Sequence, residues 1–218
     1  MALPNQLLLL LLAFLVSLSL FSTNHSSPAA AEASVSAGTT NADFIKASCE
    51  STTYPHLCYT SLSSHASEIG ADPEILAQTA LTVAVQSANS TAAALSRMAA
   101  RSFNFTHREA GAMRDCLEEL RDSVAQIRNS MKEMKQLGGH LSGPEFAMKM
   151  SDVETWVSAA LTDEDTCSDG FAGKALDGNL KTAVRQLIRK VARLTSNALA
   201  LINSFAAHHQ RWDIGLND

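Results

Sequence analysis

The 218-residue sequence has no Gly-x-Ser-x-Gly segment, no Cys-x-x-Cys pair and no Glu-x-x-His pair. The first absence removes the nucleophile elbow of the α/β-hydrolases. The second argues against a zinc site, which is built on clustered cysteines. The third removes the helical signature of a di-metal carboxylate bundle. The sequence also lacks a β-hairpin signal and any second long apolar run. Positive charge is scarce: 17 Lys and Arg face 22 Asp and Glu, a formal charge of −5. That balance argues against nucleic acid and against an anionic membrane surface as partners. The histidines His25, His56, His65, His107, His140, His208 and His209 fall mostly in expected loops, helix ends and the tail, outside the apolar stripes. No enzyme, metal or cofactor is expected.

What is present begins with the uncharged apolar run of residues 6–20, followed by Ala29, Ala30, Ala31 and Ala33. The run is short for a membrane span and the small residues offer cleavage sites. Residues 1–33 therefore read as a secretory signal peptide, cleaved within about 23–33, with the N-terminal amine supplying its positive charge. Secretion gives Cys49, Cys58, Cys116 and Cys167 a disulfide reading. Of three possible pairings, local chain logic favours Cys49–Cys58 and Cys116–Cys167.

Residues 34–42, without periodicity, read as a flexible N-terminus. At 43–69, two short helical pieces flank Thr52–Tyr54–Pro55, since a proline disfavours helix at the residue before it. A Cys49–Cys58 bridge across that turn makes a stapled hairpin, closing a loop of about ten residues for ~2.7 kcal/mol.

Four longer helices follow. Asp72-Pro73-Glu74 supplies a cap, a first-turn proline and an acid. Leu81, Val85, Ala88, Ala92, Leu95 and Ala99 then step by four and three. Met113, Leu117, Leu120, Val124, Ile127, Met131 and Met134 mark the second helix, over 107–137, with its methionines read as core filler. Phe146, Met150, Val153, Val157 and Ala160 mark the third, with Trp156 widening the stripe. That helix is expected to end at Leu161, where Thr162, Asp163, Glu164 and Asp165 read as an acidic turn leading to Cys167. The fourth covers 175–205 on Leu176, Leu180, Val184, Leu187, Val191, Leu194, Ala198, Leu201 and Phe205; residues 208–218 read as a polar tail. Four amphipathic helices with short connections predict an all-α, up-down-up-down antiparallel four-helix bundle over 72–207. Asn89 and Asn104 begin glycosylation sequons, as does Asn24 within the leader.

Several segments carry a resemblance. FIKASCESTTYPHLCYTSL, MRDCLEELRDSV, ALTDEDTCSDGF preceded by TWVSA, and LTSNALALI together resemble the plant invertase and pectin methylesterase inhibitor family over about residues 43–207. All four cysteines fall at the family's positions. The resemblance implies a bundle with an N-terminal helical hairpin, first-to-second and third-to-fourth disulfides, and a proteinaceous inhibitor of the plant cell wall and apoplast. One implied target is pectin methylesterase, whose pectin-binding cleft is covered in a 1:1 complex. The other is acid invertase, but the Pro-Lys-Phe of invertase-directed members corresponds here to Pro144-Glu145-Phe146, which favours the pectin methylesterase branch. The resemblance also implies a working face on the second and third bundle helices. Its exposed polar positions here are Asp115, Glu119, Asp122, Gln126, Thr155, Ser158, Thr162 and Asp169, each alternatively a plain solvated residue. The rival reading is a regulatory bundle without an enzyme target. With no enzyme following Asp218, action in trans is expected.

Overall fold

The structure is a computed structural model that describes residues 29–101, 104–137 and 141–213. The chain divides into two units, residues 1–37 and 38–218, and apart from the start of the first helix, at 29–37, the features below belong to the second. The apolar leader, its cleavage region and the Asn24 sequon lie outside the described residues, apart from the helical stretch at 29–33.

Helix α1, Ala29–Glu50, covers the stretch expected to be loose at 34–42. After a turn, α2, Pro55–Leu62, starts on its proline, whose missing N–H costs a helix start nothing. A 3-10 turn, Ser63–His65, and the one-turn α3, Ala66–Ile69, complete the hairpin. Gly70 ends it at φ +60°, a backbone conformation that suits glycine. The long helices are α4, Pro73–Arg101; α5, His107–Leu137; α6, Gly143–Gly170; and α7, Asn179–Asp213.

Local chemistry explains the starts. Asp72 Oδ1 accepts from the N–H groups of Glu74 and Ile75 at 2.8 and 3.1 Å, the cap read from the sequence. Thr106 and Glu109 form a reciprocal capping box: Glu109 Oε2 accepts from Thr106 N–H at 2.8 Å, and Thr106 Oγ1 accepts from Glu109 N–H at 3.2 Å.

Three expected boundaries move. The third helix does not stop at Leu161 but runs through the acidic stretch to Gly170. The fourth starts at Asn179, with a separate 3-10 turn at Lys174–Leu176 before it. Lys181 holds that loop down, its Nζ donating to Ala172 O, Gly173 O and Asp177 Oδ1. The fourth helix also continues past residue 207 to Asp213, where His209 stacks on Phe146 at 3.7 Å between ring centroids. Residues 214–218 lie outside the described residues.

The four long helices close a ring in the order α4, α5, α6, α7, each packed on its two neighbours. Contacts of Ser123 with Glu164, Ser130 with Val153, and Glu133 with Lys149 run in opposite chain order, so α5 and α6 are antiparallel. The disulfides are Cys49–Cys58 and Cys116–Cys167, with Cα separations of 5.6 and 4.2 Å. The second joins the early part of α5 to the end of α6.

The predicted stripes form the core, although Ala92, Ala99, Leu117, Met131 and Leu180 are only partly buried at its margin. Ile188 and Ile202 are fully buried, whereas Leu187 is only partly so. Trp156 is 38 % exposed rather than part of the core. It lies one residue before Val157 and is turned away from the interior.

Asn197 ties the hairpin to the bundle. Its Oδ1 accepts from Tyr54 N–H and its Nδ2 donates to Tyr54 O, both at 3.0 Å, while the Arg193 guanidinium lies 5.1 Å from the Tyr54 ring centroid. Asn197→Ala leaves both backbone groups of Tyr54 without their partner. The expected cost is about 2 kcal/mol, a fall in melting temperature of roughly 4–8 °C for a chain of this size. Thermal unfolding followed by circular dichroism measures it; an unchanged melting temperature removes the tether.

Candidate functional site: the outer face of α5 and α6

Val153, Val157, Ala160, Glu164 and Cys167 recur at helical spacing, so the acidic stretch carries the core stripe of α6 onward. Glu164 is fully buried. Its Oε1 accepts from Ser123 Oγ on α5 at 2.7 Å and from Thr195 Oγ1 on α7 at 2.9 Å. Its Oε2 has no hydrogen-bond partner. Burial pushes this carboxyl up to about 7, against the lowering effect of the two hydroxyls. Apolar clusters lie on either side: one around Leu95, Cys116, Leu120, Cys167 and Ile188, the other around Ala88, Val124, Ala160 and Val191.

Outside this knot lies the face that the sequence nominated. Asp115, Asp122, Thr155, Ser158, Thr162 and Asp169 are exposed; Glu119 and Gln126 are half-buried. Asp115, Glu119 and Asp169 share a groove of ≈ 900 Å³ that runs along the Cys116–Cys167 bridge, with Arg108, Glu118 and Thr166 also on its walls. Asp122 and Gln126 lie further along α5. Thr155, Ser158 and Thr162 lie on the outer side of α6, where Thr162 Oγ1 donates to Ser158 O at 3.1 Å.

Two residues of this face were missed by sequence reasoning. Asp163 faces Glu119 and Asp122, and burial first, then those two carboxylates, push its carboxyl up to about 6. Its Oδ2 is buried without a hydrogen-bond partner. Trp156, two turns before Asp163 and therefore on the same side of α6, offers an exposed aromatic surface. The signal for both was the uninterrupted spacing of four and three through Cys167. Of the sequons, Asn104 is exposed in the connection before α5. Asn89 is exposed on α4, where its Nδ2 donates to Val85 O at 2.8 Å.

The arrangement offers a long, braced, polar surface with acids, hydroxyls, one amide and one tryptophan. Among the described residues no group of three or more His, Cys, Asp or Glu is placed to hold a metal ion, and no helix is long and apolar enough to cross a membrane. The fold is a disulfide-braced helical bundle.

Residues 43–201 match the family described as plant invertase/pectin methylesterase inhibitor. The chain belongs to that family. It is 49% identical over 167 residues to the 21 kDa protein of Daucus carota, covering 77% of this chain and 86% of that one. It is 43% identical over 202 residues to pectinesterase inhibitor 11 of Arabidopsis thaliana, covering 93% and 98%. The crystal structure of a mutant form of a pectin methylesterase inhibitor from Arabidopsis shares the fold at a TM-score of 0.56 and 22% identity, covering 71% of this chain and 92% of that one.

The Glu164 knot makes stability depend on pH. The folded carboxyl holds its proton to about 7, against 4.5 as the ordinary value. Stability is therefore fully present below about 4.5 and falls as pH rises through 7. The loss is roughly 3 kcal/mol at 1.36 kcal/mol per unit. Glu164→Gln is expected to match the parent in acid and exceed it at pH 8. Urea unfolding across pH 4–8 measures this, and a parental slope retained by the variant contradicts it.

Proposed function

We propose that this protein is a secreted inhibitor of pectin methylesterase that docks through the outer face of α5 and α6 and blocks the pectin-binding cleft in a 1:1 complex. The observation that carries the reading is the 43% identity to a protein named as a pectinesterase inhibitor, matched over 98% of that protein's length. Pro144-Glu145-Phe146, with an acid at the start of α6 where invertase-directed relatives carry lysine, weighs against acid invertase. Two formed disulfides and no free cysteine suit an oxidising, extracellular compartment such as the plant cell wall.

Inhibition by occlusion asks for area and rigidity rather than for a reactive group. At 1.5 Å per residue the 31-residue α5 is roughly 46 Å long, and two helices side by side are roughly 20 Å wide. That exceeds the ~800 Å² per partner of a standard interface. The Cys116–Cys167 bridge and the Glu164 knot fix α5 against α6, so little order is lost on docking. Asp115, Glu119, Asp122, Gln126, Thr155, Ser158, Thr162 and Asp169 supply polar complementarity, and Trp156 an aromatic anchor.

Asp163 gives the complex a pH signature. Docking removes more water from a carboxyl already crowded by Glu119 and Asp122. Binding then takes up a proton and weakens as pH rises through about 6. Purified protein titrated against a plant pectin methylesterase and an acid invertase at pH 5–7 is expected to inhibit the first and spare the second. Failure to inhibit the esterase at micromolar protein refutes the reading. Asp163→Asn is expected to flatten the change in inhibition constant around pH 6, and Trp156→Ala to weaken inhibition at least tenfold, the scale of an interface anchor.

A further inference from the structure

The bundle is electrically divided. Helix α6 holds six acidic side chains besides the buried Glu164 and one cation, Lys149, whereas α7 holds Lys181, Arg185, Arg189, Lys190, Arg193 and Arg211 against the single acid Asp213. In a protein of net charge −5 such a helix is a local feature. Lys181 is spent on the loop before its helix, and Arg193 is steadied over Tyr54. Arg189, Lys190 and Arg193 are exposed, and among the described residues none of the ion pairs involves them.

These three cations line a groove of ≈ 800 Å³ between α2 and α7, together with His56, Leu57 and Gln186. A second groove of ≈ 500 Å³ shares Leu57, Leu187 and Lys190 with the first and continues between α2 and α4. Its wall carries Thr60, Ser61, Gln86, Ser87 and Ser90. No Asp or Glu lines either groove. The result is one extended trough with cations at one end, hydroxyls and amides at the other, and leucines on the floor. It lies on the α4 and α7 side of the ring, whereas the docking face lies on α5 and α6.

We propose that this trough binds an extended anionic polysaccharide, a polyuronate chain. Arg189 and Arg193 are one helical turn apart, roughly 6 Å along the axis, and present fixed charge to successive carboxylates. The hydroxyl and amide wall suits sugar hydroxyls, and Leu57 and Leu187 suit the apolar face of a sugar ring. The cations are open to solvent, so a single small anion gains little at each. A polymer that engages all of them and continues into the second groove gains through multivalency. The acids of α6 lie on another face and are screened beyond about 8 Å at physiological salt. The choice of a polyuronate rests on the esterase reading above: hydrolysis of a methyl ester of pectin leaves a carboxylate on the polymer. The inhibitor would thus be held where its target enzyme has already acted.

Affinity electrophoresis in gels containing polygalacturonate, fully methyl-esterified pectin or dextran sulfate tests this without any enzyme. The expected result is retardation by polygalacturonate that weakens with salt, no retardation by the ester, and weaker retardation by dextran sulfate. The triple variant Arg189→Gln, Lys190→Gln, Arg193→Gln is expected to lose on the order of tenfold in affinity. It should keep its helical circular dichroism and its inhibition of soluble esterase. Lys190→Gln alone, at the junction of the two grooves, is expected to give a smaller loss and guards against misfolding of the triple variant. Equal retardation by the ester or by dextran sulfate, unchanged retardation of the variants, or self-association abolished by the triple variant would overturn the proposal. Failure to bind polygalacturonate with inhibition intact removes the trough alone; failure to inhibit with polygalacturonate binding intact removes the docking reading alone.

Discussion

A carboxyl group with no access to water joins three helices of this bundle. Glu164 of α6 draws Ser123 of α5 and Thr195 of α7 onto one oxygen, at a single level between two apolar clusters. Apolar stripes slide past one another with little penalty when most partners are Leu, Val and Ala. A buried polar group tolerates few alternatives, because each misregistered packing leaves its hydrogen bonds unmade. The knot therefore fixes register where shape alone would leave it loose. Its cost is a carboxyl that ionises reluctantly, so a protein built around it favours acid conditions.

Cross-links complete the frame. Cys116–Cys167 clamps α5 to α6 just beyond the knot, and Cys49–Cys58 staples the hairpin. The hairpin is held to the bundle through the backbone of Tyr54, which Asn197 grips from both sides. At the far end Phe146, Phe205 and His209 pack ring against ring, joining the start of α6 to the end of α7. These contacts brace the helices against one another at several levels, and a braced surface is what inhibition by occlusion asks for.

The distribution of charge follows the ring. Carboxylates gather on α6 and face those of α5, so Asp163, Glu119 and Asp122 crowd one another. Cations gather on α7, on the other side of the ring from α5. The proposed docking face on α5 and α6 and the proposed trough along α7 thus differ in charge and share no residue.

Much of this was legible in the chain. Steps of four and three located the four long helices. Four cysteines after a leader-like segment pointed to two disulfides, and Asp72-Pro73-Glu74 marked a helix start. These features are local: helical spacing, capping and loop closure act over a few residues and leave their mark in the sequence itself. Thr162 to Asp165 read as a turn because consecutive polar residues break an apolar pattern. Whether a glutamate is a turn residue or a core residue depends on partners 41 and 31 positions away in the sequence. For the same reason Trp156, apolar and beside the stripe, was placed in the core but projects outward, and Asn197 gave no sign of its hold on Tyr54. Sequence alone determined where the four long helices lie along the chain, short of their ends, and which cysteines are available. Only the tertiary structure decided which acid is buried, which aromatic is exposed and which helix faces make surfaces, because burial is set by what the other helices bring to the same place.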